Sequence, residues 1–243
     1  MSWKQIRISL LLMVLALVTF RWVSPDTARS WGISCSWARG KRRTVRSVLR
    51  TFGPKADKKL RPHFKKAGVA YPPYKVMFLG LKEEKQVELW ARNRRGKFRW
   101  IKTYPIHAAS GVAGPKLREG DRQVPEGFYR LIWLHPNSSF HLSIKLNYPS
   151  PFDWKHARRE GRKQPGSDIF IHGSNVSIGC LAMGDPAIEE IFVLLARVGL
   201  RRSRIVIAPW DPRKKKLKAP KGARKWVPGL YRRISRTFSK FRR

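Results

Sequence analysis

Acidic side chains are what this sequence lacks most. Fifteen Asp and Glu stand against 53 Lys and Arg, for a formal charge of +38. A field of that sign disfavours cationic partners and favours anionic ones: nucleic acid, anionic lipid or a negatively charged cell envelope. Charge alone does not separate those three. Cysteine is nearly as scarce, with only Cys35 and Cys180. Two cysteines cannot build a disulfide framework, and no Cys/His set has zinc spacing, so neither a metal nor another cofactor is expected. In an exported chain the default for two cysteines is one bridge. That reading competes with any catalytic use of Cys180, because a bridged sulfur cannot attack. Long apolar runs are missing too, with one exception.

The exception is ISLLLMVLALVTF (8–20), which follows a short head carrying Lys4 and Arg7. A basic head and a short apolar run match the n- and h-regions of a secretory signal. The run is shorter than the roughly 20 apolar residues a spanning helix needs. Leu, Met and Val cover all its faces, unlike the single stripe of a core helix. Export is therefore expected. No small-x-small site stands out between Trp22 and Trp31, so a removed signal and a retained anchor over residues 8–23 both stay open. Cys35, in GISCS, sits in a poor lipoprotein box because Gly32 stands where Leu is expected.

Residues 1–22 thus read as signal or anchor and 23–69 as a basic linker, with one helix around Val45–Phe52. Residues 70–210 read as one domain, and 211–243 as a basic C-terminal tail. Within the domain, YKVMFLGLK (74–82), KQVELWAR (85–92), KFRWIKTYPIHAAS (97–110), a stretch from Gly127, SSFHLSIKLNY (138–148), DIFIHG (168–173) and RSRIVIAPW (202–210) are strand candidates. DPAIEEIFVLLARVG (185–199) alone reads clearly as a helix, with Asp185 as cap, Pro186 in the first turn and Gly199 as stop. The fold class is mainly β.

Chemistry concentrates in IHGSNVSIGC (171–180). Acyl transfer through sulfur needs a thiol beside a base, donors for an oxyanion and a backbone that approaches substrate closely. His172 at a strand end supplies a rigid base, and Gly173 lets the loop leave without a side chain in the way. Gly179 beside Cys180 allows close approach, and successive N–H groups around Ile178–Cys180 could bind an oxyanion. On spacing alone the alternative stands: a core histidine and a small buried cysteine.

The wider sequence adds a resemblance. HG-x-x-x-S-x-GC resembles the signature of the YkuD-type L,D-transpeptidases, which remodel bacterial peptidoglycan through a cysteine acyl-enzyme. GPKLREGDRQVPEGFYRL (114–131) looks like the family's G-x-x-x-T-P-x-G segment, with Val124 in place of Thr. SFHLSIKLNYPSPFD (139–153), GSDIFIHG (166–173) and GCLAMGD (179–185) resemble the YafK-like branch. The resemblance implies a YkuD-like β-sandwich with one or two short helices, flanked by the signal or anchor and basic extensions. It implies Cys180 as nucleophile, His172 as general base, and Gly173, Ser177, Ile178 and Gly179 as the oxyanion and substrate loop. His141, Ser143 and Tyr148 are weaker site candidates, for which surface or core packing is the competing reading; His156 also fits the interval of an upstream family histidine.

One departure is informative. The commonest family signature has Arg two residues after the cysteine, and here that position is Ala182. The YafK-like branch shares this and is associated with hydrolysis of the bond joining peptidoglycan to an outer-membrane lipoprotein, which shifts weight from transpeptidase toward amidase. Arg158, Arg159 and Arg162 are candidates for the missing charge. The resemblance implies peptidoglycan stem peptides as partners, with a lipoprotein as a further one, in the periplasm. The basic arms suit an anionic membrane or envelope surface, with GLYRRISRTFSKFRR (229–243) spaced as a surface-lying amphipathic helix or else a disordered tail. No nucleic acid is expected for an exported chain.

Overall fold

The computed structural model describes residues 42–243. The signal or anchor at 1–22, Cys35 and the first part of the linker lie outside the described residues. Residues 42–243 form one compact unit, wider than the expected domain at both ends.

Eight strands form one mixed sheet: β1 (Lys75–Leu81), β2 (Gln86–Arg92), β3 (Arg99–Pro105), β4 (Gly127–Ser138), β5 (His141–Leu146), β6 (Phe170–His172), β7 (Leu181–Ala182) and β8 (Ser203–Ala208). Their order across the sheet is β3-β2-β1-β8-β4-β5-β6-β7. β1 pairs β8 in parallel and β6 pairs β7 in parallel; the other pairings are antiparallel. The mainly β fold class expected from the sequence is thus what the chain adopts. Its helices among the described residues are four: α1 (Val45–Lys66), α2 (Pro151–Arg159), α3 (Asp185–Val198) and α4 (Val227–Phe238).

Strand alternation sorts the sheet into two faces. One carries Val76, Phe78, Leu142, Ile144, Ile171 and Ile205, and α3 and α1 cover it with Ile191, Leu195, Leu60 and Phe64. On the other face, Leu79, Leu81 and Val206 are covered by Leu230, Tyr231, Ile234 and Phe238 of α4. Among the described residues, no helix residue belongs to a core over the rest of that second face, along β5 to β7. The site lies there.

Two basic extensions are part of this body. α1 begins on a capping box, in which Thr44 and Ser47 exchange side-chain and backbone hydrogen bonds of 2.8 and 3.1 Å. It then runs well past Phe52, through Pro54 and Pro62. An interior proline costs a helix about 3 kcal/mol. Burial of Val48, Ala56, Leu60 and Phe64 outweighs that, and Asp57 is gripped by Arg197 of α3 and by the Tyr71 hydroxyl at 2.6 Å. The tail is corrected as well. Its apolar stripe forms the expected amphipathic helix, but that stripe is buried on the chain's own sheet, with Leu230, Ile234 and Phe238 at 1% exposure or less.

The scarce acids act as anchors for these cationic segments. Buried Glu88 receives Arg213 at 3.0 Å and Arg243 at 2.9 Å. Buried Glu190 receives Lys102 at 2.7 Å and Lys59 at 3.6 Å. Buried Glu126 accepts the Tyr231 hydroxyl of α4 at 2.6 Å.

Candidate active site

His172 ends β6, opposite Ser143 of β5 and Ala182 of β7. It is 2% exposed, with the Phe140 ring packed on it at 4.6 Å. Its Nδ1 lies 2.6 Å from the Gly173 carbonyl oxygen. A carbonyl can only accept, so Nδ1 carries the proton and Nε2 is left with its lone pair, the tautomer a general base requires. Burial lowers the imidazole's proton affinity, and the bond to the Gly173 carbonyl partly restores it. The ring is therefore neutral at neutral pH.

Cys180 is a free, half-buried thiol one residue before β7. His172 pairs with Ala182, and Cys180 precedes Ala182 by two residues, so the period of two brings thiol and imidazole to one face. Strand spacing and rise place their Cα atoms roughly 8 Å apart. The sulfur accepts the Phe170 N–H at 3.4 Å and donates to the Asp168 carbonyl at 3.7 Å. Burial pushes the thiol up from its ordinary value, and the Phe170 N–H draws it down. Asp168 raises it further and Lys116 lowers it. The resting pair is thus neutral thiol and neutral imidazole, with no hydrogen bond joining them among the described residues.

The loop between them is built from small residues with assigned tasks. A Cβ on Gly173 would collide with the Asp185 carboxylate and sit 2.8 Å from the Phe140 carbonyl, so only glycine fits. Asp185, expected to cap α3, instead accepts the Ser174 N–H at 2.8 Å and holds the loop. α3 has no side-chain cap, and Gly184 opens it at φ +72°. Ser177 Oγ accepts the Cys180 N–H at 3.0 Å and donates to the Cys180 carbonyl at 2.7 Å. The Gly179 N–H goes to Ser110 Oγ at 2.7 Å. Two amides expected to serve an oxyanion are therefore engaged by serine hydroxyls here. Ile178 is 75% exposed at the loop's crest.

The weaker candidates separate cleanly. Ser143 shares the His172 face and is buried beside it. His141 lies behind the site, its Nε2 3.1 Å from Glu189 of α3 and its backbone at φ +71°. Tyr148 is buried and donates to the Pro165 carbonyl at 2.7 Å, a structural bond. His156 stacks on Trp226 of the C-terminal segment, not on the site. Arg158 lies over Trp154, and Arg162 binds Glu160 and the Leu117 carbonyl. Ala182 is fully buried, its amide bonded to Ala108 at 3.0 Å. Ser110, Phe140, Lys116 and Asp168 were not singled out in the sequence, and Asp185 only as a helix cap. All but Ser110 lay in segments that carried the family resemblance.

The YkuD family, described as the L,D-transpeptidase catalytic domain, matches residues 80–207. This chain belongs to that family. The L,D-transpeptidase match contains β2 to β7, all but the last residue of β8, Cys180 and His172, and leaves α1 and α4 outside it. The chain is also similar to YafK of Escherichia coli (strain K12), whose L,D-transpeptidase designation is itself provisional. The two are 34% identical over 131 residues, 53% of this chain and 49% of that protein. The chain spans about half the length of the curated relatives it matches. Two solved structures are similar as well. One is the helical cell shape determining protein Pgp2 from Campylobacter jejuni, with 22% identity and a TM-score of 0.43 over 55% of this chain and 47% of that one. The other is Bd1075 from Bdellovibrio bacteriovorus, with 24% identity and a TM-score of 0.40 over 58% and 50%.

Proposed function

We propose that this L,D-transpeptidase-family protein is a peptidoglycan-modifying cysteine enzyme that works through a Cys180 thioester. The observation that carries the reading is the His172 tautomer: Nδ1 fixed on the Gly173 carbonyl, with Nε2 free on the face that carries the thiol. On substrate entry the thiol leaves the Asp168 carbonyl and gives its proton to Nε2. The thiolate attacks the carbonyl of an L-centre in a stem peptide, such as that of meso-diaminopimelate. The tetrahedral adduct collapses as His172 returns the proton to the departing amine, leaving a thioester. An amine or water, deprotonated by His172, then attacks the thioester and releases the Cys180 thiol.

A second reading concerns the acceptor. Ala182 is sealed in the sheet, so the substrate meets no cation at the position where the commonest signature has Arg. This favours water as the acceptor, and hence an amidase that releases a wall-linked lipoprotein. Either reaction would take place in the periplasm, after export directed by residues 8–20. Mass spectrometry of muropeptides incubated with enzyme, with and without a free D-amino acid, separates hydrolysis, exchange and cross-linking. Cys180→Ala should abolish every product and the acyl-enzyme mass. Turnover persisting in that variant, with a thioester mapped elsewhere, would sink the reading.

A further inference from the structure

The face that carries Cys180 continues across three strands. Register aligns Trp133 with Lys145 and Lys145 with Phe170, while His135 aligns with Ser143 and Ser143 with His172. Cys180 and the Trp133–His135 pair therefore sit on one face, three strand spacings apart, or about 14 Å. Trp133 is 46% exposed, and its ring packs on that of His135 at 4.2 Å with a 31° tilt.

A specific device puts Trp133 there. Leu131 opposes Leu146 and Trp133 opposes Lys145, so β4 spends two residues where β5 spends one. Without this bulge, Trp133 would share the core face with Leu131. The extra residue, Ile132, turns the indole out to the site, the re-aiming that bulges perform. Lys145, held by Asp168 at 2.6 Å and lying 5.7 Å from the Phe170 ring centroid, fills the span between indole and thiol.

We propose that Trp133 and His135 form a pyranose subsite for the glycan that bears the reacting peptide. The inference rests on the peptidoglycan reading above. Sugar C–H faces are apolar and weakly positive, and they stack on the electron-rich face of an indole. The His135 ring nitrogens and the Lys145 ammonium supply hydrogen-bond partners for the hydroxyl and N-acetyl groups around such a ring. The span also fits. An extended peptide covers about 3.3–3.6 Å per residue, so roughly four residues join a carbonyl at Cys180 to a sugar over Trp133.

The test uses two donors, a disaccharide-tetrapeptide and the sugar-free tetrapeptide, with the full chain and Trp133→Ala. The substitution should raise KM for the sugar-bearing donor by about tenfold. It should leave the free peptide and the rate of Cys180 alkylation unchanged, which also reports that the variant is folded. Independently, Cys180→Ala protein should bind a β-1,4-linked N-acetylglucosamine tetrasaccharide by calorimetry, and adding Trp133→Ala or His135→Ala should remove that binding. Equal losses on both donors would overturn the proposal in favour of a peptide groove. Tetrasaccharide binding indifferent to both substitutions would overturn it outright. Should Cys180→Ala remain active while Trp133-dependent sugar binding persists, the catalytic reading fails and this one stands.

Discussion

Tyr231→Phe tests whether the basic tail is truly part of the fold. The hydroxyl of Tyr231, on α4, donates to the Glu126 carboxylate at 2.6 Å, and both side chains are buried. The other Glu126 oxygen takes the Gly114 N–H at 2.8 Å and the Lys82 ammonium at 3.0 Å. Lys82 in turn holds the carbonyls of Val112, Gly114 and Val124, the loop that leads from Ser110 to β4. Removing the hydroxyl changes little volume but leaves one buried carboxylate oxygen without its donor. Such a loss costs about 1–3 kcal/mol. At a central value of about 2 kcal/mol, a chain of this size should melt about 4–8 °C lower. Urea unfolding should show a lower midpoint with an unchanged slope, since the exposed area on unfolding is the same. A variant within about 0.5 kcal/mol of the parent, the range of an ordinary surface substitution, would refute the docking of α4.

Four further outcomes follow from the site. Because burial lowers the His172 proton affinity and raises that of Cys180, alkylation of Cys180 should depend on a neutral His172, persist below the ordinary imidazole value of 6.5, and fall only at lower pH. His172→Gln should slow that alkylation at neutral pH by about tenfold or more, with recovery toward alkaline pH as the thiol ionises unaided. The same shift has a stability consequence: the unfolded chain binds a proton on this histidine more readily than the folded one, so stability should decline as pH falls from 6.5 through the lower folded value. Gly173→Ala should cost about 1–3 kcal/mol by overpacking against Asp185 and the Phe140 carbonyl, seen as a lower melting temperature together with lost activity.

Much of this molecule could be read from local pattern. Alternating apolar residues gave β1, β2 and β8 near their observed bounds, because a strand buried on one or both faces must show its periodicity in the chain. The motif HGSNVSIGC, through its family resemblance, marked Cys180 and His172 as candidates, since a short loop between two neighbouring strands keeps residues close in sequence close in space. Gly173 was legible for a related reason, as only glycine tolerates so tight an exit from a strand. α3 was likewise visible from its own stripe, though Asp185 turned out to hold the loop and not the cap.

What the sequence determined by itself, then, was the family and seven of the eight strands, with Cys180 and His172 marked as candidates for nucleophile and base. Tertiary structure alone decided the rest. Pro54 and Pro62 argue locally against α1, and only packing against α3 overrides them. The amphipathic stripe of α4 specifies that something apolar covers it, but not whether that is lipid or the chain's own β1 and β8. Ser110, Phe140 and Lys116 reach the site from 70, 40 and 64 residues before Cys180, and their roles arise from strand order and from hydrogen bonds no local pattern encodes. Trp133 faces the site through a single-residue bulge, a register decision made between two strands and therefore invisible in either one.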